Sequence, residues 1–223
     1  GAEEGIGVTW HILFGLPGEV PAQYSETLET VRKLTHLQPP LTAGCILLQR
    51  FSPYFQDPSL WGIRAVRPKR LYRYIYPPRL ARLEELAYHF DWDWEDRLEN
   101  LDALASPLQE WVERWKEAYR RREISFTRRR GPGFVELVDN RPLGARWRIP
   151  PPRKHVLKGL AAQVYEICAE AKSPARVASE TGRAGNGGPS GIAEIRGLLD
   201  RLVQEGLMMQ SGGRYLSLAL PCS

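Results

Sequence analysis

Cysteine, histidine and methionine are scarce in this chain, and long apolar runs are missing. Its three cysteines, Cys45, Cys168 and Cys222, are too widely separated for a disulfide framework or a zinc knuckle. The four histidines, His11, His36, His89 and His155, show no metal-ligand spacing and read as structural or surface residues. The longest apolar run, around Leu216–Leu220, is broken by Ser217 and followed by Pro221, well short of the roughly 18–20 residues that cross a bilayer. No basic stretch followed by a short apolar one opens the sequence, so no signal peptide is expected. These scarcities predict a soluble protein of a reducing compartment, the cytoplasm, without a membrane partner. The chain opens Gly1-Ala2-Glu3-Glu4 without Met and runs at once towards a strand, which predicts a fragment of a longer protein.

Two other absences remove familiar chemistries. Gly182–Gly191 is glycine-rich but has no Gly-Lys-Ser/Thr and follows no strand, so it reads as a connection and not a phosphate loop. Asp91-Trp92-Asp93-Trp94-Glu95-Asp96 lacks the glycine that a calcium loop needs at its sixth position. It reads instead as a solvated helix start, where carboxylates are favoured.

What is present suffices for a globular protein of one or two domains: 223 residues, 43% of them hydrophobic. Charge divides the chain in three. Residues 1–90 carry a net +2, residues 91–123 a net −4 and residues 124–223 a net +7. This asymmetry predicts separate modules, which the residue patterns below make an α/β region over 1–90, a helical connector over 91–123 and an α+β module over 124–223.

The first region reads strand, helix, strand. Ile6–Phe14 is a mostly apolar run suited to a strand of a parallel sheet, closed by the turn residues Gly15-Leu16-Pro17-Gly18-Glu19. Pro21 opens a helix whose Tyr24, Leu28, Val31, Leu34 and Leu37 share one face, and Pro39-Pro40 stops it. A second strand is expected over Gly44–Phe51, making a parallel crossover unit. Residues 62–78 are basic and aromatic, and Arg79–Phe90 reads as helical. In the connector, Leu108, Trp111, Val112, Trp115 and Tyr119 form an apolar stripe that reads as a packing face.

A strand ending in Gly-x-Pro-Gly-Glu before a helix places backbone at the C-terminal rim of a parallel sheet, where α/β folds bind ligands. Gly15 and Gly18 would allow close approach, and Glu19 could accept hydrogen bonds from an amine or a ribose. The same residues would also serve a plain tight turn and helix cap.

Trp10–Glu19 resembles the fifth-strand motif of radical S-adenosylmethionine enzymes. Together with His36-Leu37-Gln38-Pro39-Pro40, Gln49–Phe55, Val66-Arg67-Pro68, Tyr72–Pro77 and Leu86–Asp91, it resembles the cobalamin-dependent enzymes that C-methylate ribosomally made peptides. The resemblance is dense over residues 1–91 and looser over 155–220. It implies that Ile6–Glu19 and Gly44–Tyr54 are the last two β/α units of a partial β/α barrel. It also implies that Gly15, Pro17, Gly18 and Glu19 shape an S-adenosylmethionine pocket. Arg50 and Tyr54, at the next strand end, could meet cobalamin, the S-adenosylmethionine carboxylate or the peptide; a structural ion pair for Arg50 and loop packing for Tyr54 are the alternatives. The family's four-iron cluster needs Cys-x-x-x-Cys-x-x-Cys, which this sequence lacks, as it lacks a cobalamin domain. Both would lie outside this chain, leaving it inactive by itself.

In the third region short strands are expected over Ser125–Arg129, Phe134–Val138 and Ala145–Ile149. Helices follow over Val156–Ala171, Ser173–Thr181 and Ile192–Glu205, then a hairpin around Ser211-Gly212-Gly213. That layout resembles the winged-helix modules that capture a leader peptide as an added strand. The expected edge is Ala145–Ile149 facing Ile192–Leu202, with Arg146 and Arg148 attracting an acidic leader. Arg128-Arg129-Arg130 reads as a solvated turn. A nucleic-acid-binding winged helix is the rival, but Ile192–Glu205 offers only Arg196 and Arg201 against Glu194, Asp200 and Glu205. A third alternative is a lid that only packs on the barrel.

Overall fold

A computed structural model describes residues 6–77, 79, 82–96, 98–184 and 191–222. The Gly182–Gly191 connection lies mostly outside them. No helix among the described residues is long and apolar enough to cross a membrane. The protein is mixed α/β, with several small sheets. Among the described residues no sheet closes into a barrel. Two compact units are formed: Thr9–Leu28 with Pro40–Glu113, and Glu29–Pro39 with Arg114–Ser223, the latter including Gly1–Val8.

In the first of these, β1 (His11–Phe14) and β2 (Thr42–Cys45) pair in parallel, joined through α1 (Pro21–Leu34). The strand–helix–strand order therefore gives the parallel crossover expected. Both strands are shorter than the apolar runs that announce them. After Cys45 the chain moves to a second sheet, where β3 (Leu48–Gln49) pairs antiparallel with β5 (His89–Trp94). Alongside lies β4 (Ile63–Pro68), also antiparallel to β5. Because Gly44–Phe51 is apolar almost throughout, periodicity could not reveal that its halves bond to different strands.

Between these strands sit the short helices α2 (Pro53–Gln56), α3 (Tyr72–Ile75) and α4 (Leu83–Leu86). Of the helix expected over Arg79–Phe90, only α4 forms among the described residues. Asp91–Trp94 is strand and not a helix start: Asp and Trp alternate, a period of two, and Phe90, Trp92 and Trp94 pack on the Leu48–Ile63 core. Asp93 points to Arg67 instead, at 3.1 Å. The 20-residue α5 (Leu101–Arg120) buries Leu108, Trp111, Val112 and Trp115 of the predicted apolar stripe, whereas Tyr119, its last member, is exposed.

The second unit contains β6 (Phe126–Gly131), β7 (Phe134–Asp139) and β8 (Arg153–Lys158), then α6 (Gly159–Ile167), α7 (Pro174–Ala184) and α8 (Ile192–Gln204). The hairpin β9 (Met208–Ser211) and β10 (Arg214–Ser217) and the short β11 (Leu220–Pro221) follow. The sheet order is β11-β6-β7-β8. The Ser173 hydroxyl accepts from Arg176 N at 3.4 Å and caps α7. Gly206, at φ 74°, closes α8, with Leu207 N bonding back to Leu202 O at 3.0 Å. Gly212 and Gly213 both take positive φ in the hairpin turn. Lys172 bridges to Tyr215, tying the segment between α6 and α7 to the hairpin.

The third strand is not where the sequence suggests. Ala145–Ile149 is irregular, and the strand starts at Arg153, directly after Pro150-Pro151-Pro152. Prolines cannot donate to a ladder, so pairing begins only once they end. Val156–Lys158, expected in a helix, belong to this strand. The helix starts at Gly159, whose φ of 56° turns the chain. Leu157 continues the helical spacing of Leu160, Val164 and Ile167 by coincidence. Arg128–Arg130 also lie in a strand, with Arg128 and Arg130 both reaching Glu166.

Candidate functional site

The Gly15–Glu19 turn sits at the C-terminal end of β1, as its sequence demands. Gly15 and Gly18 have φ of 74° and 79°, conformations that L side chains resist. At Gly15 a side chain is also excluded by space: a Cβ would lie 3.2 Å from Cys45 Sγ and 3.1 Å from Leu101 Cδ2. Around Gly18 there is open space. Pro17 and Gly18 are exposed at the tip of the turn.

Glu19 folds back over this turn. Its Oε2 accepts from Gly15 N at 2.8 Å and from the Tyr24 hydroxyl. Gly15 N also reaches Tyr24 Oη at 3.1 Å. Burial, then the hydrogen bond to Glu19, push the Tyr24 phenol up to about 12, so it stays a donor at neutral pH. One carboxylate oxygen therefore holds the turn, while among the described residues Oε1 carries no hydrogen bond.

Beside the turn lies an open depression of about 650 Å³, lined by Gly18, Glu19, Asp96, Glu99, Asn100 and Leu104 among others. This volume is within the range of small-molecule sites. Pro21, Leu98 and Leu104 make much of its lining apolar, and the charged groups among its described residues are the carboxylates of Glu19, Asp96 and Glu99, which suit an amine, a cation or sugar hydroxyls.

Arg50 and Tyr54 belong to the other sheet of this unit. Arg50 Nε donates to Ala87 O at 2.6 Å and Nη2 donates to Glu84 O, while its guanidinium lies over Phe55 and Phe90 at 5.3 and 5.2 Å. It holds the α4–β5 turn against β3, a packing role with carbonyls in place of an ion pair. Tyr54 stacks on Trp61 at 4.8 Å between ring centroids. Sequence proximity to a strand end does not bring these two into the Gly15–Glu19 turn.

The described residues hold no group of three His, Cys, Asp or Glu side chains able to bind a metal. Cys45 and Cys222 are exposed, whereas Cys168 is buried, its thiol pushed up to about 11 by burial. These cysteines do not fit an iron–sulfur cluster.

In the second unit, Arg146 and Arg148 are exposed on the irregular segment before the prolines and line no sheet edge. The edge is β8, which pairs with β7 on one side and with no strand on the other among the described residues. Arg153, Lys154 and Lys158 are exposed along it. Spacing could not have found this edge, but the proline triplet, read as a strand boundary, could have.

Sequence reasoning also missed the buried group at the heart of this unit. Arg141 is fully buried, bonded to Asp139, Lys33 O and Gly206 O, with its guanidinium 3.7 Å from the Phe126 ring centre. His36 packs edge-on against the same ring and bonds to Leu218 O at 2.7 Å. Thus the histidine of the His36–Pro40 motif is structural.

Compared with protein families, curated proteins and solved structures, the chain has no match.

Proposed function

We propose that this chain is the C-terminal portion of a radical S-adenosylmethionine, cobalamin-dependent enzyme that C-methylates a ribosomally synthesised peptide. Its β6–β11 unit is then a winged-helix module that captures the peptide. The observation that carries the first part is the Gly15–Glu19 turn: positive-φ glycines at the end of a parallel strand, a carboxylate with one oxygen unbonded among the described residues, and an open depression alongside with Asp96 and Glu99 on its lining. In this reading the cofactors supply the radical and methyl chemistry. The cluster ligands and the cobalamin domain lie on other parts of the protein.

What these residues contribute is positioning. Glu19 Oε2 and Tyr24 keep the turn closed. Gly18 leaves the approach open. In this reading Asp96 and Glu99, with Glu19 Oε1, accept hydrogen bonds from the amine and ribose hydroxyls of S-adenosylmethionine. The capture module is supported by the order helix, bridge strand, helix, helix, hairpin after three strands, and by the open edge of β8. A peptide added there would gain main-chain hydrogen bonds, with Lys158 favouring an acidic leader, since Arg153 and Lys154 pair with Asp139 and Glu136.

Saturation-transfer NMR with S-adenosylmethionine tests the site. Adenosine protons should receive transfer from the wild-type chain and lose it in Gly18→Trp, which fills the open lobe. No transfer to either protein would sink the assignment of the turn.

A non-catalytic peptide-binding module is the second reading, favoured by the unpaired β8 edge alone. It predicts peptide-dependent amide protection over 153–158 with no nucleotide contact. Nucleic-acid binding is disfavoured by α8, where Asp200 is bonded to the Tyr215 hydroxyl at 2.6 Å and offsets Arg196 and Arg201.

A further inference from the structure

Between Asp57 and Glu84 the sequence has seven basic residues and no acidic one. Among the described residues, Arg64, Arg67 and Arg82 pair with Glu95, Asp93 and Glu85. Lys69, Arg70, Arg73 and Arg79 have no carboxylate partner among the described residues. Lys69 and Arg70 precede α3, Arg73 lies within it and Arg79 follows it; the Tyr72 side chain anchors α3 to the β3-β5-β4 sheet. Its ring packs on that sheet's core, and its hydroxyl accepts from Tyr88 N at 3.0 Å and His89 N at 3.2 Å.

With Tyr72 held inward, the rest of the segment faces out. Leu71 is 64% exposed, Tyr74 73% and Ile75 57%, and Arg70 lies 6.0 Å from the Tyr74 ring centre. Tyr76 and Tyr88 extend the exposed surface. A cluster in sequence of exposed apolar and aromatic side chains of this kind marks a candidate interaction site. Interface cores favour Tyr and Arg in just this mixture.

We infer that residues 69–76 form a docking surface for an acidic, apolar stretch of polypeptide. The charge of Lys69, Arg70 and Arg73 is positive and meets no carboxylate among the described residues, so the complementary partner is acidic. Leu71 and Ile75 add aliphatic surface, which suits Leu or Phe side chains better than nucleobases. Four cations without a carboxylate partner among the described residues are also few beside the roughly 6–10 phosphate contacts of a strongly salt-dependent nucleic-acid site. The inference rests on the reading of the substrate as a ribosomal peptide and adds a second contact with it, on a different unit from the β8 edge.

The test uses two short fluorescent peptides with the same Leu and Phe residues, one bearing Glu and Asp, the other Lys in their place, and a single-stranded RNA of equal length. The wild-type chain should bind the acidic peptide and protect the amides of 69–76 from exchange. Combined Lys69→Glu, Arg70→Glu and Arg73→Glu substitution should weaken that binding about tenfold or more. Tyr74→Ser with Ile75→Ser, which leaves the charge intact, should weaken it as well. Lys69 is half-buried and the other side chains are exposed, and an unchanged far-UV spectrum would show that the variants fold. Equal affinity in the charge-reversed chain, or binding of the RNA in place of the acidic peptide, overturns the inference. Protection at 153–158 without protection at 69–76 also overturns it while leaving peptide capture intact. Protection at neither would remove both.

Discussion

Arg141 and Asp139, only two residues apart, clasp each other in the interior of the second unit. Nε donates to Oδ1 and Nη2 to Oδ2, each at 2.9 Å, and both side chains are almost wholly shielded from water. The remaining donors of Arg141 reach Lys33 O at 2.6 Å and Gly206 O at 2.8 Å, so one guanidinium joins the end of α1 to the end of α8. Burying a charge is tolerated only with this degree of compensation.

Removing one partner should therefore be severe. Asp139→Asn leaves Arg141 buried without its counter-charge and should cost about 3–5 kcal/mol in urea unfolding. Replacing both by apolar residues of similar volume should cost less than either single change. Equal losses in all three variants would show that the pair is not coupled.

Burial works to raise the Asp139 carboxyl, but the hydrogen bond and charge of Arg141 prevail and hold it below the ordinary range. A depressed folded value means that the pair's stabilisation is present above the unfolded pKa of about 3.9 and is lost as pH falls through the folded value. Acid unfolding of the wild type should steepen in that window. In Asp139→Asn that component should vanish from the pH dependence of the urea midpoint.

His36 titrates at higher pH. Burial first, then the charge of Arg141, lower it to about 4, despite the Leu218 carbonyl and Asp139, which pull the other way. The unfolded state thus takes up the proton first. Stability should be complete above about pH 6.5 and fall towards pH 4, by on the order of 3 kcal/mol. Melting temperatures of wild type and His36→Gln across this range check the prediction. The wild-type slope should be lost in the variant, and parallel curves would refute the assignment.

Gly131 faces Phe134 across the tight β6–β7 turn, and a Cβ there would collide with the Phe134 ring. Gly131→Ala should force the ring away and cost about 1–3 kcal/mol by overpacking. Combining it with Phe134→Ala should recover part of that loss. A neutral Gly131→Ala would mean that the ring moves freely.

At the candidate site, Tyr24→Phe removes one of the two donors to Glu19 Oε2. The loss should be about 1 kcal/mol of stability, the usual net worth of such a bond, with the turn still held by Gly15 N. Glu19→Gln should loosen the turn more, seen as faster amide exchange at Gly15. If Tyr24→Phe exchanged faster at Gly15 than Glu19→Gln, the carboxylate would not be what holds the turn.

Local chemistry made much of this molecule legible. Pro21 starts α1, Ser173 caps α7, Gly206 ends α8 and Gly212-Gly213 turns the hairpin, because each depends on one residue's φ or on a bond spanning a few positions. The Gly15–Glu19 turn was readable for the same reason. Leu108, Trp111, Val112 and Trp115 revealed their buried face because a helix repeats its own surface.

The sequence by itself thus determined the parallel β1–α1–β2 crossover, the caps, the hairpin and the glycine turn. Tertiary structure alone decided that Gly44–Phe51 serves two sheets, that Asp91–Trp94 is a strand and that the sheet edge is Arg153–Lys158. It also decided that Arg50, Arg141 and His36 hold the fold together. The physical reason is the same in each case: these outcomes depend on partners distant in sequence, such as Phe90 for Leu48 or Lys33 for Arg141. No local period or propensity encodes a hydrogen bond across that separation.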